Sequence, residues 1–115
     1  MDYKMTKNLI HLNQDNFDKE IVKSTTPVIV DFWAQWCAPC RMMGPVFEEL
    51  SSGYVGKLKF AKLNTEEEPV LASKFNIMGI PSLLILKGGK EVDRIVGFVP
   101  KQVLKQKIDS TLATI

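Results

Sequence analysis

The chain has 115 residues, 45% of them hydrophobic, and 15 basic against 13 acidic side chains give it a net charge of +2. That length fits a single domain over 1–115, built on one continuous core. Charges of both signs are scattered rather than blocked, which gives no electrostatic case for binding nucleic acid or a membrane surface, and no apolar run is long enough to span a bilayer.

Residues 1–8 are expected to form a loosely ordered extension. Met1-Asp2-Tyr3-Lys4 lacks a charged-then-apolar export pattern, which points to a soluble, cytoplasmic protein. Leu9 to Leu12 fits a short strand, and Asn13 a helix N-cap ahead of Phe17 and Ile21 on one face. Thr26-Pro27 ends that helix. Val28-Ile29-Val30-Asp31-Phe32-Trp33-Ala34 is almost continuously apolar, as in a strand buried on both faces of a sheet. Asp31 is the exception.

Cys37-Ala38-Pro39-Cys40 follows, and then Met43, Val46, Phe47 and Leu50 recur at helical spacing. Met42 and Met43 read as packing residues. Pro45 lies inside this helix and cannot donate to the carbonyl of Arg41, which predicts a kink, and Gly53 is a suitable stop. Leu58 to Asn64 reads as a third strand; Glu66, Glu67 and Glu68 place acids at the start of a short helix ending near Asn76. Ser82 to Lys87 and Glu91 to Val96 flank Gly88-Gly89, the signal of an antiparallel hairpin with a primed turn. Pro100 suits the first turn of a closing helix, with Leu104, Ile108 and Leu112 inward and Lys101, Lys105 and Lys107 solvated. A crossover helix between parallel strands, then a hairpin, gives an α/β fold: a mixed sheet with helices on both faces.

The only two cysteines stand three residues apart at a helix start, close enough to form a disulfide. The N-H groups there favour a thiolate, and the more exposed sulfur becomes the nucleophile. A permanent disulfide is unusual in the cytoplasm, so the pair reads as catalytic or metal-binding. A structural zinc site needs four ligands, and beyond the pair the chain offers only His11 as an imidazole. Haem attachment needs His directly after the second cysteine, where Arg41 stands. Redox chemistry is favoured over both. The loop closed by such a disulfide is too short for structural stabilisation to be its purpose.

Asp31-Phe32-Trp33-Ala34-Gln35-Trp36-Cys37-Ala38-Pro39-Cys40-Arg41, then Pro45, Gly79-Ile80-Pro81-Ser82 and Gly97, resembles the thioredoxins from about Leu9 to Leu112. The resemblance implies a central sheet of four to five strands flanked by four helices. It also implies a monomeric reductase of protein disulfides, itself rereduced by a thioredoxin reductase, with no cofactor beyond the Cys37-Cys40 disulfide. Cys37 would attack the target and the less exposed Cys40 would resolve the mixed disulfide. Asp31, whose pKa burial should raise, would serve Cys40 as general acid or base, with Lys62 tuning it. A cis Pro81 would leave the Ile80 backbone free to pair with an extended substrate. Trp36, Ile80, Pro81 and Gly97, with Met78 and Phe98, would form an apolar docking surface, Gly97 permitting close backbone approach. Trp33 would pack beneath the site, and Ala38-Pro39 would stiffen the turn. Ala38 stands where the family usually has Gly, and Ser82 where Thr is commoner. Oxidases and isomerases of secreted proteins often carry His where this chain has Pro39, so reduction fits better. A non-catalytic interaction module is the remaining alternative, against which the retained thiols, Asp31 and Pro81 argue.

Overall fold

The computed structural model describes residues 8–115. Met1 to Lys7, most of the expected extension, lie outside the described residues. Asn8, counted with that extension, is instead buried, and its Nδ2 donates to the carbonyls of Ser51 (2.7 Å) and Leu58 (3.0 Å). A twice-satisfied buried amide fixes the chain before its first strand begins.

Five strands form one sheet: β1 (Leu9–His11), β2 (Val28–Trp33), β3 (Lys59–Asn64), β4 (Ser82–Lys87) and β5 (Lys90–Val96). Their spatial order is β1-β3-β2-β4-β5. β1 and β2 run parallel to β3, whereas β4 and β5 are antiparallel to their neighbours. Among the described residues four helices accompany the sheet, a five-residue π-helical turn at Asp18–Val22, α1 (Ala38–Ser51), α2 (Pro69–Lys74) and α3 (Lys101–Leu112), and a short 3-10 turn extends α1.

β2 is central, and its side chains alternate between two cores. Ile29, with Phe60, Leu83 and Ile85, packs under Met43 and Phe47 of α1 and Leu104 and Ile108 of α3. Val28, Val30 and Phe32 face the other way, onto Ile21 and onto Leu71 and Ala72 of α2. By the same alternation Asp31 and Trp33 share the face that α1 covers.

Several boundaries differ from the sequence expectation. Asn13 does cap, its Oδ1 accepting from the Asp15 and Asn16 N-H groups (2.8 and 3.0 Å), but that cap closes a local turn. The regular segment starts only at Asp18 and winds with a wider Lys23 N-H to Asp18 carbonyl bond (2.9 Å). This wide turn still buries Ile21 on the sheet. Pro45 lies within α1, which runs unbroken from Ala38 to Ser51 and then tightens into a 3-10 turn over Ser52–Tyr54, so Gly53 is inside that turn rather than the stop. Glu66 to Glu68 precede α2 instead of occupying its first turn: the Asn64 side chain accepts from the Glu66 and Glu67 N-H groups and holds them in a turn, and Pro69 opens the helix. α2 ends at Lys74, two residues early, where Asn76 takes a left-handed φ of 53°. Pro100 is the N-cap of α3 rather than a first-turn residue. Met42 is 58% exposed, so only Met43 of the pair packs. Gly88 and Gly89 have φ of 60° and 82°, as a primed hairpin turn requires.

Candidate active site

Cys37 and Cys40 are joined as a disulfide with their Cα atoms 5.2 Å apart. Cys37 is the N-cap of α1, extended at φ −90° and ψ 112°, and its Sγ accepts from the Cys40 N-H at 3.2 Å. An N-H aimed at this sulfur from a helix start would also stabilise it as an anion. Ala38 and Pro39 occupy the first turn, where a missing N-H costs no intrahelical bond. The Arg41 guanidinium reaches back to the Gln35 carbonyl (2.8 Å) and ties the helix to the loop carrying Trp36.

The expected contrast in cysteine exposure is absent in the disulfide form. Cys37 and Cys40 are 4% and 3% exposed, because Ala34, Trp33 and Ile80 pack around both. What differs is their surroundings. Cys37 adjoins Trp36, which is 67% exposed, and its Sγ lies 3.7 Å from the Ile80 carbonyl oxygen. Cys40 instead starts a stripe on α1, Cys40, Gly44 and Glu48 at four-residue spacing, buried at its first two positions and meeting Lys62 of β3 at the third.

The peptide bond from Ile80 to Pro81 is cis. Ser82 fixes this corner by donating its buried hydroxyl to the Gly79 carbonyl, and the Gly97 N-H donates to the Pro81 carbonyl at 2.8 Å. Ile80 itself precedes β4 and lies outside the strand ladder. A groove of about 220 Å³ runs beside it, lined by Trp36, Met78 and Ile80 among others. Met78 (93% exposed), Val96 (60%) and Phe98 (38%) extend the apolar surface. Gly97 takes a φ of 93°, which favours glycine, and among the described residues no atom lies within 4 Å of where a Cβ would stand, so the space above it is open.

Arg94 supports the segment leading into this corner. Its guanidinium grips Glu91 at 2.7 and 2.9 Å and donates to the carbonyls of Phe75 (2.6 Å) and Asn76 (3.2 Å), at the end of α2.

Asp31 is fully buried, and neither carboxylate oxygen has a hydrogen-bond partner among the described residues. Burial pushes its carboxyl from the usual 3.8 up to about 7, with the Lys62 ammonium pulling it down and the Glu48 carboxylate pushing it further up. Asp31 and Lys62 are register partners across β2 and β3. Lys62 nevertheless directs its ammonium to Glu48 Oε2 at 3.3 Å, over the Trp33 ring at 4.9 Å from its centroid. Among the described residues, no group of three or more His, Cys, Asp or Glu side chains is placed to hold a metal ion. Among the described residues no helix is long and apolar enough to cross a membrane.

A buried acid, a disulfide at a helix start and a cis-proline beside it are what the sequence resemblance implied. The family model for thioredoxin matches residues 8–110. The chain belongs to the thioredoxin family.

Thioredoxin 1 of a Nostoc species is 48% identical over 101 residues, covering 88% of this chain and 94% of that one. Thioredoxin of Chlorobaculum thiosulfatiphilum is 52% identical over 94 residues, 82% and 87% of the two chains. A chloroplastic M-type thioredoxin of Pisum sativum is 46% identical over 98 residues, 85% of this chain and 57% of that one. With thioredoxins matching at about half identity over most of its length, the protein is a protein-disulfide reductase.

The thioredoxin motif located the cysteines, Trp36, Ile80 and Pro81 together, and placed Asp31 and Lys62 as neighbours. It gave no notice of Glu48, Arg94 or the Ser82 hydroxyl bond. Only for Glu48 was there a usable signal, the Cys40, Gly44, Glu48 spacing. Arg94 and Ser82 act on backbone carbonyls brought near by the fold, which no side-chain pattern announces.

Proposed function

We propose that the chain is a general reductant of disulfides in target proteins, working as a monomeric single domain in the cytoplasm and rereduced by a thioredoxin reductase. The observation that carries this reading is the placement of Cys37: its sulfur stands at the N-cap of α1, 3.7 Å from the Ile80 carbonyl and beside exposed Trp36. An extended target segment lies against Trp36, Met78 and Gly97 and pairs with the Ile80 backbone. That pairing sets one target sulfur in front of Cys37 without requiring particular side chains.

In the reduced protein the Cys37 thiolate attacks that sulfur. The target S-S bond breaks, a Cys37-target bond forms, and the released target sulfur takes a proton. Cys40 then gives its proton to Asp31 and attacks Cys37 Sγ. The Cys37-target bond breaks, the second target sulfur leaves as a thiolate that takes a proton from solvent, and the Cys37-Cys40 disulfide closes, so two electrons have passed to the target. Asp31 is suited to the proton transfer because its carboxyl titrates near the working pH and spends no hydrogen bond on other groups. Lys62 tunes that carboxyl, and Trp33 and Pro45 hold the sheet and helix around it. No cofactor is required beyond the two thiols.

The test is a pair of variants assayed by insulin reduction. Cys37→Ser should abolish turnover, whereas Cys40→Ser should accumulate mixed disulfides on Cys37, visible as adducts on non-reducing gels. Turnover by Cys37→Ser, or a Cys40→Ser variant that traps nothing under oxidising stress, overturns the proposal.

A further inference from the structure

Asp31 and Lys62 face each other across β2 and β3 on the side covered by α1, an arrangement that ordinarily yields an ion pair. The pair is not made. Both Asp31 oxygens are buried without a partner among the described residues, while the Lys62 side chain, 12% exposed, places its ammonium 3.3 Å from Glu48 Oε2.

The helix explains how one ammonium can serve either carboxylate. Cys40, Gly44 and Glu48 succeed one another along a single stripe of α1. At Gly44 there is no side chain, and the Lys62 Nζ occupies that space, 3.7 Å from where a Cβ would stand. It therefore sits a turn from Cys40 on one side and a turn from Glu48 on the other. The Trp33 ring beneath it offers a further favourable contact.

We infer that Glu48 is a positioning residue of the reductase: by holding the Lys62 ammonium, it denies Asp31 its cross-strand counter-ion and keeps that acid free for Cys40. This rests on the general acid-base role proposed for Asp31. Among the described residues the charges that act on Asp31 are two, Lys62 of β3 and Glu48 of α1. β4 opposes Asp31 with Leu83, its own strand adds Ile29 and Trp33 on that face, and α3 supplies Leu104 and Ile108 to the core there. The nearest other carboxylate on α1, Glu49, is engaged by Lys101 at 2.7 Å. Burial and the Glu48 carboxylate act on Asp31 in one direction and Lys62 in the other, so releasing Lys62 must favour the ionised acid.

The direct readout is the titration of the Asp31 side-chain carboxyl carbon by NMR in the disulfide form, where no thiol titrates. Glu48→Gln should lower the midpoint by roughly one pH unit, while Glu49→Gln, which removes the same charge one residue away, should leave it in place. In a Lys62→Met background, Glu48→Gln should shift the midpoint by less than half as much, since the ammonium is no longer there to release. An unchanged midpoint in Glu48→Gln, an equal shift in Glu49→Gln, or a full shift without Lys62 overturns the inference. The role of Asp31 itself is judged separately, by whether Asp31→Asn slows resolution of the mixed disulfide, and failure there leaves the titration result intact.

Discussion

Ile80 and Cys37 meet from points 43 residues apart in the chain, the Ile80 carbonyl oxygen 3.7 Å from Cys37 Sγ. One comes from the loop entering β4 and the other from the start of α1, so the sheet, not local sequence, sets the distance between recognition and reaction. In the proposed reading a target that pairs with Ile80 is delivered to the sulfur by the same geometry, so delivery and chemistry rest on different residues.

Trp36 serves delivery in the proposed reading. With 67% of its surface exposed it contributes little to the core, so Trp36→Ala should change stability by no more than about 0.5 kcal/mol. Its loss should be felt in docking. Insulin reduction kinetics should show KM rising several-fold with kcat near the parent value, and urea unfolding should show an unchanged midpoint. A fall in kcat with unchanged KM would place Trp36 in the chemical step.

Asp31 couples stability to pH. The folded carboxyl titrates near 7 against 3.8 ordinarily, so between those values the folded chain holds a proton that the unfolded chain has lost. Stability therefore falls as pH rises from about 4 to about 7, and the full cost, on the order of 4 kcal/mol, stands above that window. Asp31→Asn carries no charge to bury. It should be more stable than the parent by a few kcal/mol at pH 8, with the gap closing toward pH 4, as followed by urea unfolding across pH. A gap independent of pH would show that the carboxylate is not the source.

Gly97 is a backbone requirement. At φ 93° an added methyl is strained whatever the space, and Gly97→Ala should cost about 1–2 kcal/mol. The same methyl would project into the open space where the proposed target lies. The variant should thus combine a lower unfolding midpoint with a raised KM for insulin, and a melt matching the parent would contradict the strain argument.

Much of this architecture was legible because it is written in local periodicity. The apolar run of β2, the Gly88-Gly89 turn and the cysteine spacing each depend on a few neighbouring residues. Asp31 stood out for the same reason, as the single charge within an apolar strand. What stayed hidden depends on partners distant in sequence. Asn8 reads as part of a polar tail until Ser51 and Leu58 arrive to accept from it. Lys62 has two carboxylates within reach of its stem, and only the fold shows its ammonium on Glu48, lying against Gly44 and Trp33. The near-equal burial of Cys37 and Cys40 could not be read from their order along a helix, since Ile80 and Trp33 cover both.

The two outer strands of the sheet bear on target choice. β1 is only three residues long, and β5 carries Lys90, Glu91, Asp93 and Arg94 and has an irregular register against β4 between Ile85 and Leu86. Short, charged or interrupted margins make poor templates for another polypeptide. In the proposed reading extended chains dock at Ile80, and a reductase working that way would stall if they could also zip along its borders. With those borders closed, the proposed berth beside the sulfur is the place left for a visiting backbone, and a target whose disulfide is gone would have no second strand to hold it.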